Sequence, residues 1–138
     1  VIADGFFEPH HHQGISYPYY IKPENNGVIA FAGIYSETLE GDFTASIITT
    51  TANNYFEEIH NRKSKKGDYR IPLILGQENY DNWLDADLKE TGVKELLNSF
   101  TKSEFVSHPV SRDLFSNKIN SNRANILNEV PYKLNTLF

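Results

Sequence analysis

The 138-residue sequence contains no Cys and no Met. Without Cys these residues form no disulfide, hold no thiolate-ligated metal and supply no thiol nucleophile. No apolar run approaches the roughly 18 residues that a membrane span needs, and Val1–Phe7 lacks the basic start and long apolar stretch of a secretion signal. A cytoplasmic protein without membrane contact is the expectation. Positive charge is scarce too: 13 Lys and Arg against 18 Asp and Glu leave a net charge of −5. A surface that is basic throughout is thereby disfavoured, because phosphate contacts come from Lys and Arg. The sequence starts at Val, and Val1-Ile2-Ala3 reads like the middle of a strand, so a portion of a longer protein is expected.

Enough apolar material is present for one domain, since 39% of the residues are hydrophobic and 13% aromatic. Aromatic and β-branched runs predict strands at Val1–Glu8, Tyr17–Lys22, Val28–Tyr35 and Phe43–Thr51. Turn residues separate them at Gln13-Gly14, Asn25-Asn26-Gly27 and Glu40-Gly41-Asp42, spacings that imply antiparallel hairpins, with Asn26-Gly27 the strongest turn signal. The period then changes. Asn54, with Glu57 three residues on, predicts a capped short helix that carries Phe56, Ile59 and His60 on one face. Ile71–Leu75 suits a buried strand. Gln77–Leu84 and Val93–Phe100 read as helices with Gly92 between them, and Phe105–Ser111 as a strand. The Asn- and Ser-rich stretch from Ser116 to Asn128 reads as loop, with a short element at Ala124–Val130. Hairpins followed by helices indicate an α+β domain.

Several residues are candidates for chemistry. Glu8 has the same strand parity as Ile2 and Phe6, so its carboxylate faces the core unless Gly5 interrupts the alternation; burial would raise its pKa into the range of a general acid or base. His60 ends the predicted helix, where the helix dipole and burial act on it in opposite directions. An ion-paired Glu and a structural His are the plain alternatives, and periodicity alone does not choose. His10 and His12 share one face of an extended segment and can hold a metal with Glu8, although no further ligand stands at metal-ligand spacing. Arg62, Lys63, Lys65, Lys66 and Arg70 crowd against a single Asp68, as a solvated loop or a phosphate-tracking patch. The hydroxyls of Thr49, Thr50 and Thr51 are able to bond a phosphate or a backbone group.

Taken together, eight short segments resemble the SOS-response-associated peptidase (SRAP) family in family order. Ile2-Ala3-Asp4-Gly5-Phe6-Phe7-Glu8 resembles its A-D-G-[FY]-[FY]-E strand, Pro18-Tyr19-Tyr20-Ile21 its P-[YF]-[YF]-I strand, and Ala30-Phe31-Ala32-Gly33-Ile34 its F-A-G-[IL] strand. Ser46–Thr50 with Ala52-Asn53 is similar to I-[IL]-T-T-x-A-N, and Ile59-His60-Asn61-Arg62 to I-H-[ND]-R. Ile71–Leu75 is similar to M-P-V-I-L, Tyr80–Leu84 to a helix ending in W-L, and Pro109-Val110-Ser111 to P-V-S.

The resemblance implies a mostly antiparallel, barrel-like α+β fold with few short helices, and a basic cleft for single-stranded DNA. It implies action on abasic sites: an N-terminal Cys joins the ring-opened sugar aldehyde as a thiazolidine, Glu8 assists self-processing and the attacking amine, and His60 moves the proton that opens the ring and reverses the crosslink. Thr49, Thr50, Arg62, Lys63, Lys65 and Lys66 are the candidate DNA contacts, no cofactor or metal is implied, and the expected protein is a monomer associated with the nucleoid. Departures limit the resemblance. The nucleophilic Cys and the DNA-holding Asn and Arg residues of the family's first half have no counterpart in these residues, Pro9 replaces a common Trp, and the Arg62–Arg70 loop is longer than usual. Two other readings stand beside it: a non-catalytic single-strand-binding module using the basic loop with Tyr19, Tyr20 or Tyr69, and a metal-dependent hydrolase built on Glu8, His10 and His12.

Overall fold

A computed structural model of the chain describes residues 1–132. In chain order its strands are Ile2–Ala3 (β1), Phe6–His12 (β2), Ile15–Pro23 (β3), Ile29–Phe31 (β4), Gly33–Glu37 (β5), Phe43–Ile47 (β6), Thr49–Thr51 (β7), Arg70–Pro72 (β8), Ile74–Leu75 (β9) and Phe105–Pro109 (β10). The helices are Asn54–Ile59 (α1), Tyr80–Leu84 (α2) and Glu90–Leu97 (α3), with 3-10 turns at Gln77–Asn79, Arg112–Phe115 and Ala124–Leu127. Among the described residues all strand pairs are antiparallel, in four small sheets ordered β1-β4-β9, β10-β3-β2, β5-β6 and β7-β8. This is the expected α+β class, mostly antiparallel with short helices; among the described residues the sheets do not close into a barrel.

Four expected strands are each split in two, for reasons that lie in the backbone. Val1–Glu8 breaks at Asp4-Gly5, where a Cβ on residue 5 would lie 2.5 Å from the Tyr20 ring. Only glycine lets the chain cross that ring and leave the sheet of β1 for that of β2. The other three breaks are one feature. Ala32 donates its N–H to the Leu73 carbonyl (2.9 Å), Leu73 to Ile48 (2.8 Å) and Ile48 to Ala32 (2.9 Å). At this three-way junction the runs Val28–Tyr35, Phe43–Thr51 and Ile71–Leu75 each exchange one partner for another, so every backbone group stays bonded although Ala32 and Leu73 are fully buried.

The Gln13-Gly14 turn forms as expected, both residues at positive φ (49° and 79°), and sets β2 against β3 from His12↔Ile15 to Phe6↔Ile21. Asn26-Gly27 is a turn but not a hairpin. Asn26 is at φ 54°, yet β3 is already flanked by β2 and β10, so the chain passes on to β4 in another sheet. The hairpin at Glu40-Gly41 is as expected, joining β5 to β6. Helix α3 begins before Gly92 instead of after it, and Phe100 lies past its end, packed edge-on against Phe56 at 5.7 Å.

The main core gathers Ile21, Ile29, Phe31, Ile71 and Ile74 from the strands around Phe56 and Ile59 of α1. A smaller cluster of Ala32, Leu73 and Leu75 sits under Trp83 and Leu97. The Asn-rich segment folds back on β10: the His108 imidazole donates from Nε2 to the Leu127 carbonyl (2.8 Å), and the Tyr132 hydroxyl donates to the Val110 carbonyl (2.7 Å). No helix among the described residues is long and apolar enough to cross a membrane.

Candidate functional site

Helix α1 lies against one face of β2, and the site is their seam. From Phe6 onward β2 alternates regularly, so Phe6, Glu8 and His10 point to the same side. Phe6 packs on Phe56 with ring centres 6.3 Å apart. Glu8 meets His60, and buried His10 meets the end of the helix. The parity of Glu8 with Phe6 therefore holds, whereas the parity with Ile2 does not, because Ile2 precedes the Gly5 crossing and is 66% exposed.

The helix is capped one residue earlier than expected. Asn53, in an extended conformation, accepts the Phe56 N–H on its side-chain oxygen at 3.1 Å, which makes Asn54 the first helical residue and moves Glu57 out of capping-box position. Six residues later the helix ends at His60, which is its C-cap (φ −85°, ψ 71°) and not part of its buried face. That departure from helical geometry swings the imidazole toward β2.

His60 Nδ1 lies 2.6 Å from Glu8 Oε2. A carboxylate only accepts, so when Glu8 is ionised Nδ1 carries the proton and Nε2 is the ring nitrogen left for chemistry. The Glu8 side chain is 12% exposed. Burial raises its pKa above the ordinary 4.5, and the hydrogen bond and positive charge of His60 offset only part of that rise. A carboxyl that holds its proton longer than usual, in short contact with an imidazole, is a pair able to pass one proton back and forth.

Two polar clamps hold this seam in register, and sequence reasoning missed both. His10 Nδ1 lies 3.1 Å from the carbonyls of both Glu58 and Ile59; two acceptors there fix the proton on Nδ1 and tie the last turn of α1 to β2. Asn61 binds the His11 backbone like a neighbouring strand, accepting its N–H on Oδ1 and donating from Nδ2 to its carbonyl, each at 2.8 Å. The dyad thus sits between a clamp one residue before His60 and a clamp one residue after it. The metal reading of Glu8, His10 and His12 loses its basis here, because His10 is committed to backbone carbonyls and Glu8 to His60. Among the described residues no group of three His, Asp, Glu or Cys is arranged to hold a metal ion.

On the other side of the seam a groove of about 630 Å³ opens, lined by His11, Ser16, His60, Arg62, Arg112 and Phe115 among others. Pro9 lines it too and pairs with Pro18; its missing N–H is tolerated because β2 is the edge of its sheet. Of the basic loop, only Arg62 reaches this groove. Lys63 lies over the Tyr69 ring at 5.4 Å, Lys65 and Lys66 are exposed, and Arg70 is bound to Asp68 and to the hydroxyl and carbonyl of Thr49. Thr50, half-buried, pairs with Ile71 in β7–β8, and neither Thr49 nor Thr50 lines the groove. Arg112, Phe115, His11 and Ser16 carried no motif; only the fold brings them beside His60.

The chain matches the family model described as SOS response associated peptidase (SRAP) over residues 1–117. It is 33% identical over 109 residues to the abasic site processing protein YoqW of Bacillus subtilis (strain 168), a match covering 75% of this chain and 45% of the relative. The abasic site processing protein YoaM of the same organism is 31% identical over 111 residues, covering 75% and 44%. The chain thus spans less than half the length of these curated relatives. Among solved structures, a protein from Bacteroides thetaiotaomicron is similar with a TM-score of 0.78 and 28% identity, covering 95% of this chain and 56% of that one. A protein from Bordetella bronchiseptica shares the fold with a TM-score of 0.63 at 20% identity, covering 80% and 53%. The order of the eight motifs, the strand-and-helix seam they build and these matches agree: the chain belongs to the SRAP family.

Proposed function

We infer that this chain carries the proton-transfer machinery of an abasic-site processing protein acting on single-stranded DNA, with Glu8 and His60 as its acid–base pair. The carrying observation is the 2.6 Å contact between His60 Nδ1 and Glu8 Oε2 at the edge of a groove lined by two arginines. The printed names of YoqW and YoaM supply the substrate class. An abasic deoxyribose interconverts between a closed ring and an open aldehyde, and opening needs one proton removed from the anomeric hydroxyl and one delivered to the ring oxygen. His60 Nε2 is the atom suited to the exchange, and Glu8 holds the imidazole in the required tautomer and stabilises it when charged.

In the whole protein the aldehyde is then captured by the amine of an N-terminal Cys: nitrogen adds to the aldehyde carbon, water leaves, and the thiol closes the thiazolidine. That Cys is not among the residues of this chain, which has none. Glu8 accepts a proton from the attacking amine in this scheme, a task suited to a carboxyl whose pKa is raised. Lys63, Lys65 and Lys66 add positive charge along the strand's path, and Thr49 and Thr50 offer it hydroxyls.

The test uses the protein as its gene encodes it, with a single-stranded oligonucleotide carrying one abasic site. A denaturation-resistant adduct is expected, formed or reversed about 10²-fold or more slowly by Glu8→Gln or His60→Gln, the usual scale of a lost proton-transfer group. If both variants match the unmodified protein in rate while still binding the strand, the chain is a binding module and the dyad is structural.

A further inference from the structure

Opening an abasic sugar breaks the bond between its anomeric carbon and its ring oxygen, and the electron pair leaves with the oxygen. His60 Nε2 is an acceptor while Glu8 is ionised, so it gives that oxygen no hydrogen bond until it has taken a proton. A fixed donor nearby lowers the cost of the developing charge. One stands on the adjoining strand. β2 is the edge of its sheet, and the chain leaving α1 runs along that edge, pinned where Asn61 bonds the His11 backbone. His60 and Arg62, the neighbours of Asn61, therefore line the groove together with His11. By strand alternation His11 points away from the face of Glu8 and His10, into the groove.

The hairpin also selects which nitrogen of His11 carries the proton. Ser16 is its partner across the two strands, and Ser16 Oγ lies 2.9 Å from His11 Nδ1. The ring is kept neutral: burial lowers its pKa first, and the charges of Arg62, His60 and His10 lower it further. A neutral imidazole by itself prefers its proton on Nε2, and a hydroxyl rotates to suit, so Ser16 donates to Nδ1. The remaining N–H is then on Nε2, and no hydrogen bond within the described residues occupies it.

We propose that His11 is a further catalytic residue, donating from Nε2 to the ring oxygen of the abasic sugar as that oxygen leaves, with Ser16 holding the imidazole in the donating tautomer. The proposal rests on the proton-transfer reading of Glu8 and His60 and assigns the donor that the pair lacks. In this step His60 Nε2 takes the proton of the anomeric hydroxyl, and the electrons of that O–H bond form the aldehyde C=O. The bond from carbon to ring oxygen breaks with its pair on the oxygen. His11 bonds the oxygen without giving up its own proton, and the proton on His60 then passes to it, so atoms and charge balance. A neutral donor suits the place, because a cationic His11 would oppose the uptake of a proton by His60.

Two measurements on the protein as its gene encodes it test this. Nitrogen-15 NMR of the imidazoles reads the tautomer directly: above about pH 7, His11 is expected to carry its proton on Nε2, and Ser16→Ala to mix the two tautomers. A proton resident on Nδ1 in the unmodified protein overturns the proposal, whatever the fate of the dyad. The second measurement follows adduct formation on a single-stranded oligonucleotide with one abasic site. His11→Leu is expected to slow it about 10²-fold, the scale of one lost donor to a developing oxyanion. His11→Gln, whose amide N–H stands near the place of the Nε2–H, should restore most of the rate, and both variants should melt with the unmodified protein. An unchanged rate for His11→Leu removes the donor role while leaving the Glu8–His60 reading intact. Equal slowing by Leu and Gln, in step with a lower melting temperature, reduces His11 to a residue of the hairpin. No adduct from the unmodified protein overturns both readings.

Discussion

Two hairpins in this chain begin from the same local chemistry and end differently. β2–β3 and β5–β6 are each a pair of aromatic and β-branched strands joined by a glycine-containing turn. β3 gains β10 on its free edge and β2 gains α1 on one face, so residues from Phe6 to Ile21 are mostly half-buried or buried. β5–β6 gains neither, and Ile34, Tyr35, Phe43 and Ile47 are 62%, 77%, 67% and 44% exposed. Burial is the largest cause of the raised pKa of Glu8, and the exposed faces of β5–β6 supply none. Turn residues decide that a hairpin forms; its neighbours decide whether it can do chemistry.

The contrast is sharpest in the core. Phe56 is 1% exposed under β2 and touches the rings of Phe6, Tyr55, Phe100 and Phe105. Phe56→Ala should cost about 3–5 kcal/mol in urea unfolding, enough to threaten the fold of a small domain.

Asn61→Ala removes both strand-like bonds to His11 and leaves that backbone pair half-buried without partners, at a cost of about 1–3 kcal/mol. Its second expected effect separates positioning from packing: abasic-site processing should slow by more than the change in folded fraction explains, because His60 is the preceding residue. A rate that simply follows the folded fraction would reduce Asn61 to a fold residue.

Glu8 provides a pH signature. Its folded pKa is raised, so the folded chain binds this proton more tightly than the unfolded one, and stability declines as pH climbs from about 4.5 through the folded value. Glu8→Gln should flatten that decline in urea midpoints measured from about pH 4 to about pH 8, and should leave the protein no less stable at the upper end. An unchanged pH dependence would mean that Glu8 is not the buried acid described. The smallest effect belongs to the other hairpin: Phe43→Ala should shift stability by about 0.5 kcal/mol or less, and a larger loss would show that β5–β6 is packed more tightly than its exposure indicates.

How much of this was legible in the sequence follows the same division. Gln13-Gly14 and Glu40-Gly41 announced their hairpins because turn geometry is local. Asn26-Gly27 announced a turn yet not its destination, since β3's second neighbour, β10, lies far along the chain. The splits at Ala32, Ile48 and Leu73 were invisible because each depends on the other two. Glu8 and His60 stood out through motif order, with only the parity of Glu8 with Phe6 beside it, and the fold brings them together. Asn53 displaced Asn54 as the cap because both are good cap residues and only backbone conformation separates them. His10 suggested a metal ligand until its two carbonyl partners were seen, and Arg112 and Phe115 left no local trace because their place in the groove depends on the hairpin tip they face.

A double-mutant cycle on abasic-site processing puts the dyad to the most direct test, comparing Glu8→Gln, His60→Gln and the two combined in the protein as its gene encodes it. If the pair passes one proton as a unit, the double variant will be about as slow as the slower single variant, far from the product of the two effects. Independent, multiplying losses would mean that Glu8 and His60 act separately and that their 2.6 Å contact is structural.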